Sequence, residues 1–202
     1  MKQYEIHKAS SFEELKKLPS LDIDYRYFES PDEITAHAQI GYSDTAILVH
    51  LFAKESFTRA VEQGPFGIPC EDSCMEFFFS PMAGDNRYFN IECNSNGCLY
   101  VGVGTGLGDL MRLIPEDFEN HPIQPKITRY EDGWELFYEI PYDFIRRIFP
   151  DFTVFVGKEI KANCYKCSDL TEPPHYFSWS PILGDPFTYH RTECFGTMIF
   201  AD

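Results

Sequence analysis

The run from Cys70 to Val103, CEDSCMEFFFSPMAGDNRYFNIECNSNGCLYVGV, constrains the fold of this chain more than any other stretch. It reads as three consecutive strands whose alternation separates two faces. Met75, Phe77 and Phe79 point one way, and Cys74, Glu76 and Phe78 the other. In the second strand Phe89, Ile91 and Cys93 oppose Tyr88, Asn90, Glu92 and Asn94; in the third, Leu99, Val101 and Val103 oppose Cys98, Tyr100 and Gly102. Side chains of a strand alternate with period two, so a slip of one residue would exchange core for solvent. Asn96-Gly97 has the composition of a two-residue hairpin turn with positive φ at both centres, which makes the second and third strands antiparallel neighbours. An apolar layer is therefore expected beneath a sheet surface carrying Glu76, Asn90, Glu92 and Tyr100, and that surface is the candidate site.

The rest of the chain follows the same grammar. Ser11-Phe12-Glu13-Glu14 is a capping-box start for a short helix ended by Pro19. Thr35 to Ile40 alternates as a strand, and Thr45 to Ala53 is apolar on both faces, as a central strand would be; His50 within it reads as a hydrogen-bonded core histidine. Lys54 to Pro69 reads as a loop that brings Phe66 up to the organising strands. The glycines of residues 102–108 lack GxGxxG spacing and a following helix, so they predict a flexible loop into a proline-containing segment over 115–125 rather than a phosphate cradle. Lys126–Tyr130 and Trp134–Ile140 flank a second hairpin turn, with Trp134 on its core face. Pro141 opens a short helix that Pro150 closes. Val154 to Cys167 contains a further strand, with Ile160, Ala162 and Cys164 inward and Lys161, Asn163 and Tyr165 outward, and FGTMIF is the closing strand. Many short strands, tight hairpins and two short helices predict an all-β fold, an antiparallel β-sandwich of the immunoglobulin or jelly-roll kind. One domain over 1–202 is expected, with residues 1–32 as an extension packed on it.

Composition narrows the function. Seventeen basic against 32 acidic side chains, a formal charge of -15, would repel phosphate backbones and anionic membranes, so neither nucleic acid nor membrane is expected as a partner. No apolar run approaches the ~20 residues of a spanning helix. The N-terminal stretch lacks the apolar core of a secretory signal; a cytoplasmic protein is expected if Met1 is the native start, and an extracytoplasmic one if a signal has been removed. Seven cysteines scattered through strand-like runs read as reduced thiols acting as small apolar residues. The sharper alternative is zinc on Cys70, Cys74, Cys164 and Cys167, against which stands the position of the CxxC inside a strand rather than on a turn. A disulfide among these cysteines would require export.

In order, DSCMEFFFSP, YFNIECNSNG, DGWELFYEIPYDFI, IKANCYKCSD, YFSWSPI and ECFGTMIF resemble the conserved runs of family 9 carbohydrate-binding modules, most closely an uncharacterised bacterial branch, over roughly residues 33 to 200. The resemblance implies a sandwich related to the DOMON sugar- or haem-binding domains, and binding without catalysis. It also implies a site in which two tryptophans clamp a sugar end that a glutamate, an arginine, a glutamine and asparagines fix. Carried onto this chain, the glutamate falls on Glu76, the arginine position on Asn90, the glutamine near Tyr165 two residues after Asn163, and the second tryptophan on Tyr189. The first tryptophan falls near Cys70, with Phe66 the nearest aromatic, while Trp179 matches a framework position. The carbohydrate-binding set is thus Glu76, Asn90, Glu92, Asn163, Tyr165, Tyr189 and Phe66, with a mono- or oligosaccharide as ligand, a role in carbohydrate catabolism, and an unidentified partner enzyme. No cofactor is expected; some relatives hold structural calcium, but no loop here has EF-hand spacing. Two alternatives remain at this level. One is a glycosidase using Glu76 and Glu92, which would need carboxyls about 5–10 Å apart. The other is a haem- or metal-binding DOMON-like module, for which Met75, Met82, Met111, His175 and His190 offer no distinctive axial pair.

Overall fold

A computed structural model of the chain describes residues 2–114 and 120–202. Among the described residues, fourteen strands and two short α-helices follow one another. The strands are β1 (Gln3–Lys8), β2 (Leu21–Asp22), β3 (Tyr25–Tyr27), β4 (Thr35–Tyr42), β5 (Ala46–Lys54), β6 (Cys74–Ser80), β7 (Tyr88–Asn94), β8 (Leu99–Gly104), β9 (Met111–Arg112), β10 (Lys126–Tyr130), β11 (Gly133–Pro141), β12 (Glu159–Ser168), β13 (His175–Ser178) and β14 (Gly196–Phe200). The helices are α1 (Phe12–Leu15) and α2 (Tyr142–Arg146). Hydrogen bonding runs in the order β10-β11-β5-β4-β1-β14-β12-β6-β7-β8-β9, with β2 beside β4, β13 beside β12, and β3 beside β13. The path curls so that the half from β10 to β4 faces the half from β14 to β9 as the two layers of a sandwich, and β1 joins them.

The core between the layers is the face that alternation assigns to the interior. Phe77, Phe79, Phe89, Ile91, Val101, Trp134, Leu136, Tyr138, Ile160, Ala162 and Cys164 all belong to it. β5 is apolar on both sides because α1 lies on its outer face, with Leu15 packed against Leu48 and Phe137. The Ser11 hydroxyl caps that helix by accepting from the Glu14 N–H. His50 is a satisfied core residue, bonded at Nδ1 to Gln39 Oε1 (2.8 Å) and at Nε2 to Glu135 Oε2 (2.9 Å). Trp179 is a framework residue: a Cβ at Gly196 would fall 2.5 Å from its ring, so the indole lies directly on the backbone of the closing strand.

Several expectations change. Residues 1–32 do more than pack on the sandwich, because β1, β2 and β3 are hydrogen-bonded into its sheets. The sheet is also not wholly antiparallel, since β1 runs parallel to both β14 and β4. The β7–β8 turn is longer than two residues. Gly97 N–H bonds to Asn94 O (3.0 Å), and Gly97, not Asn96, takes positive φ, at 83°; this is a type I turn closed by a glycine bulge. The glycines after β8 form no free loop. The Asp109 carboxylate accepts from the backbone of Thr105 and Gly106, and the chain returns as β9 alongside β8. Of the segment expected over 115–125, residues 115–119 lie outside the described residues.

Candidate functional site

The face of β6, β7 and β12 that points away from the core carries Glu76, Asn90, Glu92, Asn163 and Tyr165, as alternation requires. Register places Glu76 directly opposite Glu92 on one side and Tyr165 on the other. This face is not an open wet surface. Ile182, Tyr189 and Phe195, from the segment between β13 and β14, pack over it and form a second apolar cluster with Phe78, Tyr165 and Cys167 of the face itself. Glu76 and Glu92 consequently retain only 2% and 8% of their exposure.

Where that cover stops, a cavity of about 590 Å³ opens onto the sheet. Glu76, Glu92, Cys70 and Cys167 lie at its floor, Asp169 and His190 at its sides, and Phe28, Tyr176, Phe187 and Tyr189 form an aromatic wall. Tyr189 stacks one ring face on Tyr165 at 4.0 Å, and its hydroxyl donates to Lys166 O and Phe177 O. It is therefore a fixed backstop with one face already used. The rings of the wall that reach solvent are Phe28 and, half-buried, Tyr176 and Phe187. Phe28 is 70% exposed and is the one non-glycine residue of positive φ, 55°, among the described residues. A bulky side chain in that region is strained and needs its surroundings to hold it. Here edge-on contacts to Tyr176 and Phe187 do so.

The floor is unusual electrically. Burial pushes the Glu92 carboxyl up to about 7, against the opposing pull of the Asn90 amide and Arg112. Burial first, and then the neighbouring Glu92, hold Glu76 well above the carboxylate range. Glu76 Oε1 accepts from the Cys167 thiol at 3.0 Å, while its Oε2 has no partner. An unpaired oxygen this deep costs about 1–3 kcal/mol.

The remaining expected residues divide. Asn163 is fully buried and structural: its amide donates to Ser180 O, and its oxygen accepts from Ser180 N–H and Cys164 N–H. Tyr165 lies wholly beneath Tyr189, with its hydroxyl on Tyr189 O. Asn90 shares the correct face but sits beneath the covering cluster, not on the cavity lining, and its carboxamide makes no hydrogen bond of normal geometry. Phe66 is 76% exposed and lies off the cavity altogether. The CxxC pair is split, since residues three apart in a strand face opposite ways: Cys164 is in the inter-sheet core and Cys167 on the cavity floor. Phe28, Tyr176, Phe187, Asp169 and His190 were not anticipated. For Tyr176 a signal existed, because β13 pairs it with Cys167 and so places both on one face; Phe28 and Phe187 come from irregular segments that periodicity does not read.

Fold and site together define a ligand-binding β-sandwich with an aromatic-walled cleft on the outer face of one sheet. The sequence pattern described as Carbohydrate-binding family 9 matches residues 16–200, and the chain belongs to that family. Among solved structures, a Bacteroides uniformis protein provisionally described as carbohydrate-binding superposes with a TM-score of 0.84 at 28% identity, covering 98% of this chain and 99% of that one. A family 9 carbohydrate-binding module from Caldicellulosiruptor kristjanssonii in complex with glucose superposes at 0.68 with 10% identity, over 98% of this chain and 95% of that one. The same organism's family 9 module in complex with cellotriose gives 0.69 at 10% identity, over 99% and 94%. A search of curated proteins returned no match.

Proposed function

We propose that the chain is a non-catalytic carbohydrate-binding module that takes a sugar in the cleft above Glu76 and Glu92. The observation that carries this reading is the aromatic wall standing over buried carboxyls in a single cavity. Sugars bind through the stacking of an apolar C–H face on a ring and through oriented hydrogen bonds to hydroxyls. Phe28 and Phe187 supply the ring surface, and Glu76 and Glu92 supply the polar anchors. Solved relatives of the same fold described with glucose and with cellotriose support a glucose-type ligand. Arrangement favours binding over hydrolysis. Glycosidases set two carboxyls on either side of the scissile bond, whereas Glu76 and Glu92 are register neighbours on one floor.

Calorimetric titration with glucose, cellobiose and cellotriose tests the reading. Phe28→Ala and Glu76→Gln are expected to weaken binding tenfold or more while leaving the circular dichroism unchanged, and a chromogenic glucoside is expected to stay uncleaved. Absence of heat with every sugar at millimolar concentration, or equal affinity in both variants, would overturn it.

A further inference from the structure

The cleft floor sets thiols beside one of its carboxyls. Cys74 and Cys167 are directly opposed on β6 and β12, and Glu76 follows Cys74 by two residues on the same face. Their three donor atoms, two sulfurs and one carboxylate oxygen, all lie within 4.8 Å of one another, and all three residues are buried. Tetrahedral zinc, with Zn–S near ~2.3 Å and Zn–O near ~2.1 Å, separates its ligands by roughly 3.5–3.8 Å. The trio thus surrounds a point that an ion could occupy with only small side-chain shifts. Cys70 lines the same cavity but is not one of the three clustered donors.

Simple burial of reduced thiols does not account for this cluster. A cysteine that merely fills space is surrounded by apolar atoms, as Cys164 and Cys93 are in the inter-sheet core. Here a carboxyl group lies beside two thiols, and its Oε2 is fully buried, without a partner, in a residue that faces the cavity. Among the described residues, neither Glu76 nor Glu92 forms an ion pair with any lysine, arginine or histidine. A cation that favours sulfur would satisfy this carboxyl together with the two thiols.

We propose that Cys74, Cys167 and Glu76 form a binding site for a thiophilic divalent cation of the zinc class, with its fourth position left to water or a cleft ligand. Two adjacent strands supply the three inner ligands, so the site is rigid before the ion arrives, and the exchangeable position opens to the cleft. The ligand set differs from the one the cysteine spacing suggests: Cys164 is excluded by strand parity, Cys70 lies outside the cluster, and Glu76 joins Cys74 and Cys167. The site goes beyond the sugar reading and does not rest on it.

The test is cobalt titration of the whole chain, purified with a chelator, dialysed, and kept under a phosphine reductant with no sugar present. One equivalent of Co2+ is expected to produce a thiolate-to-cobalt charge-transfer band and the strong visible bands of tetrahedral geometry, both abolished by one equivalent of Zn2+. Cys167→Ala and Glu76→Gln are expected to weaken binding at least tenfold, and Cys164→Ala to leave it unchanged. Should Cys167→Ala not fold, the nearly isosteric Glu76→Gln decides by thermal shift, since Zn2+ is expected to raise the melting temperature of the wild type and not of that variant. The proposal is overturned if the wild type shows no charge-transfer band, or if Glu76→Gln binds the metal as tightly as the wild type. Either result leaves the sugar titration standing on its own.

Discussion

Behind the cleft floor lies a buried ion cluster whose disruption gives a sharp test of what holds the site in place. Lys166 is completely buried, and its ammonium bonds to Glu55 Oε2 (3.1 Å), His175 Nε2 (2.6 Å) and Cys167 O (3.2 Å). Glu55 also accepts from the Trp134 indole N–H and the Ser73 hydroxyl. All three ammonium hydrogens and both carboxylate oxygens are thus used, tying β12 beside Cys167 to the residue that follows β5 in the facing layer. Removing one member leaves the other charge buried without a counter-ion, which costs about 3–5 kcal/mol. Glu55→Gln and Lys166→Met should each lose about that much, a large fraction of the whole stability of a typical domain. For a chain of this length, that is a fall in melting temperature on the order of 10 °C. The double variant Glu55→Gln/Lys166→Met should cost clearly less than the sum, because neither charge is then stranded. Urea denaturation followed by tryptophan fluorescence measures all three, with Trp134 itself in the network. Single losses below about 1 kcal/mol, or losses that simply add, would show that the pair is solvated and refute the argument.

Three further outcomes are expected. Burial and the adjacent Lys166 push His175 down to about 3, so the unfolded chain takes up its proton first; stability present above pH 6.5 should fall with acid by about 2 kcal/mol at pH 5, and a His175→Gln variant should lose that part of the slope in urea titrations at the two pH values. Asn90→Leu removes a buried carboxamide that makes no normal hydrogen bond, and at pH 5, where Glu92 is protonated and does not draw on that amide, it should raise stability by about 1 kcal/mol in the same assay without weakening sugar binding; a marked loss of affinity would place Asn90 among the ligand contacts after all. Gly97→Ala forces a side chain into φ of 83° at the β7–β8 turn, and thermal melts should show a loss of about 1 kcal/mol.

The parity of every strand around the site was readable from the sequence because period two is a local property. Met75, Phe77, Phe89, Ile91, Ile160 and Cys164 all lie in the inter-sheet core. What parity does not report is what covers the other face. Phe78, Cys74 and Tyr165 share that face with Glu76, and three apolar side chains among the polar ones were the sign that a further layer lies over it. That layer arrives from the segment between β13 and β14, whose path is set by long-range packing rather than by neighbours in sequence. Phe66 was placed by its nearness to Cys70 along the chain, but the intervening Pro69–Glu71 turn leads into β6 with the ring left outside. The CxxC misled for the opposite reason: a motif that works on a turn is divided by a strand.

The way β1 joins the two layers has a mechanical consequence. β1 and β14 run parallel, residues 3–6 beside 197–200. A pull on the two ends of the chain would draw them in opposite directions along their shared axis. Their hydrogen bonds would then be loaded together and would have to break at once, rather than in succession as in a hairpin peeled from its tip. This geometry resists force applied through the first and last strands.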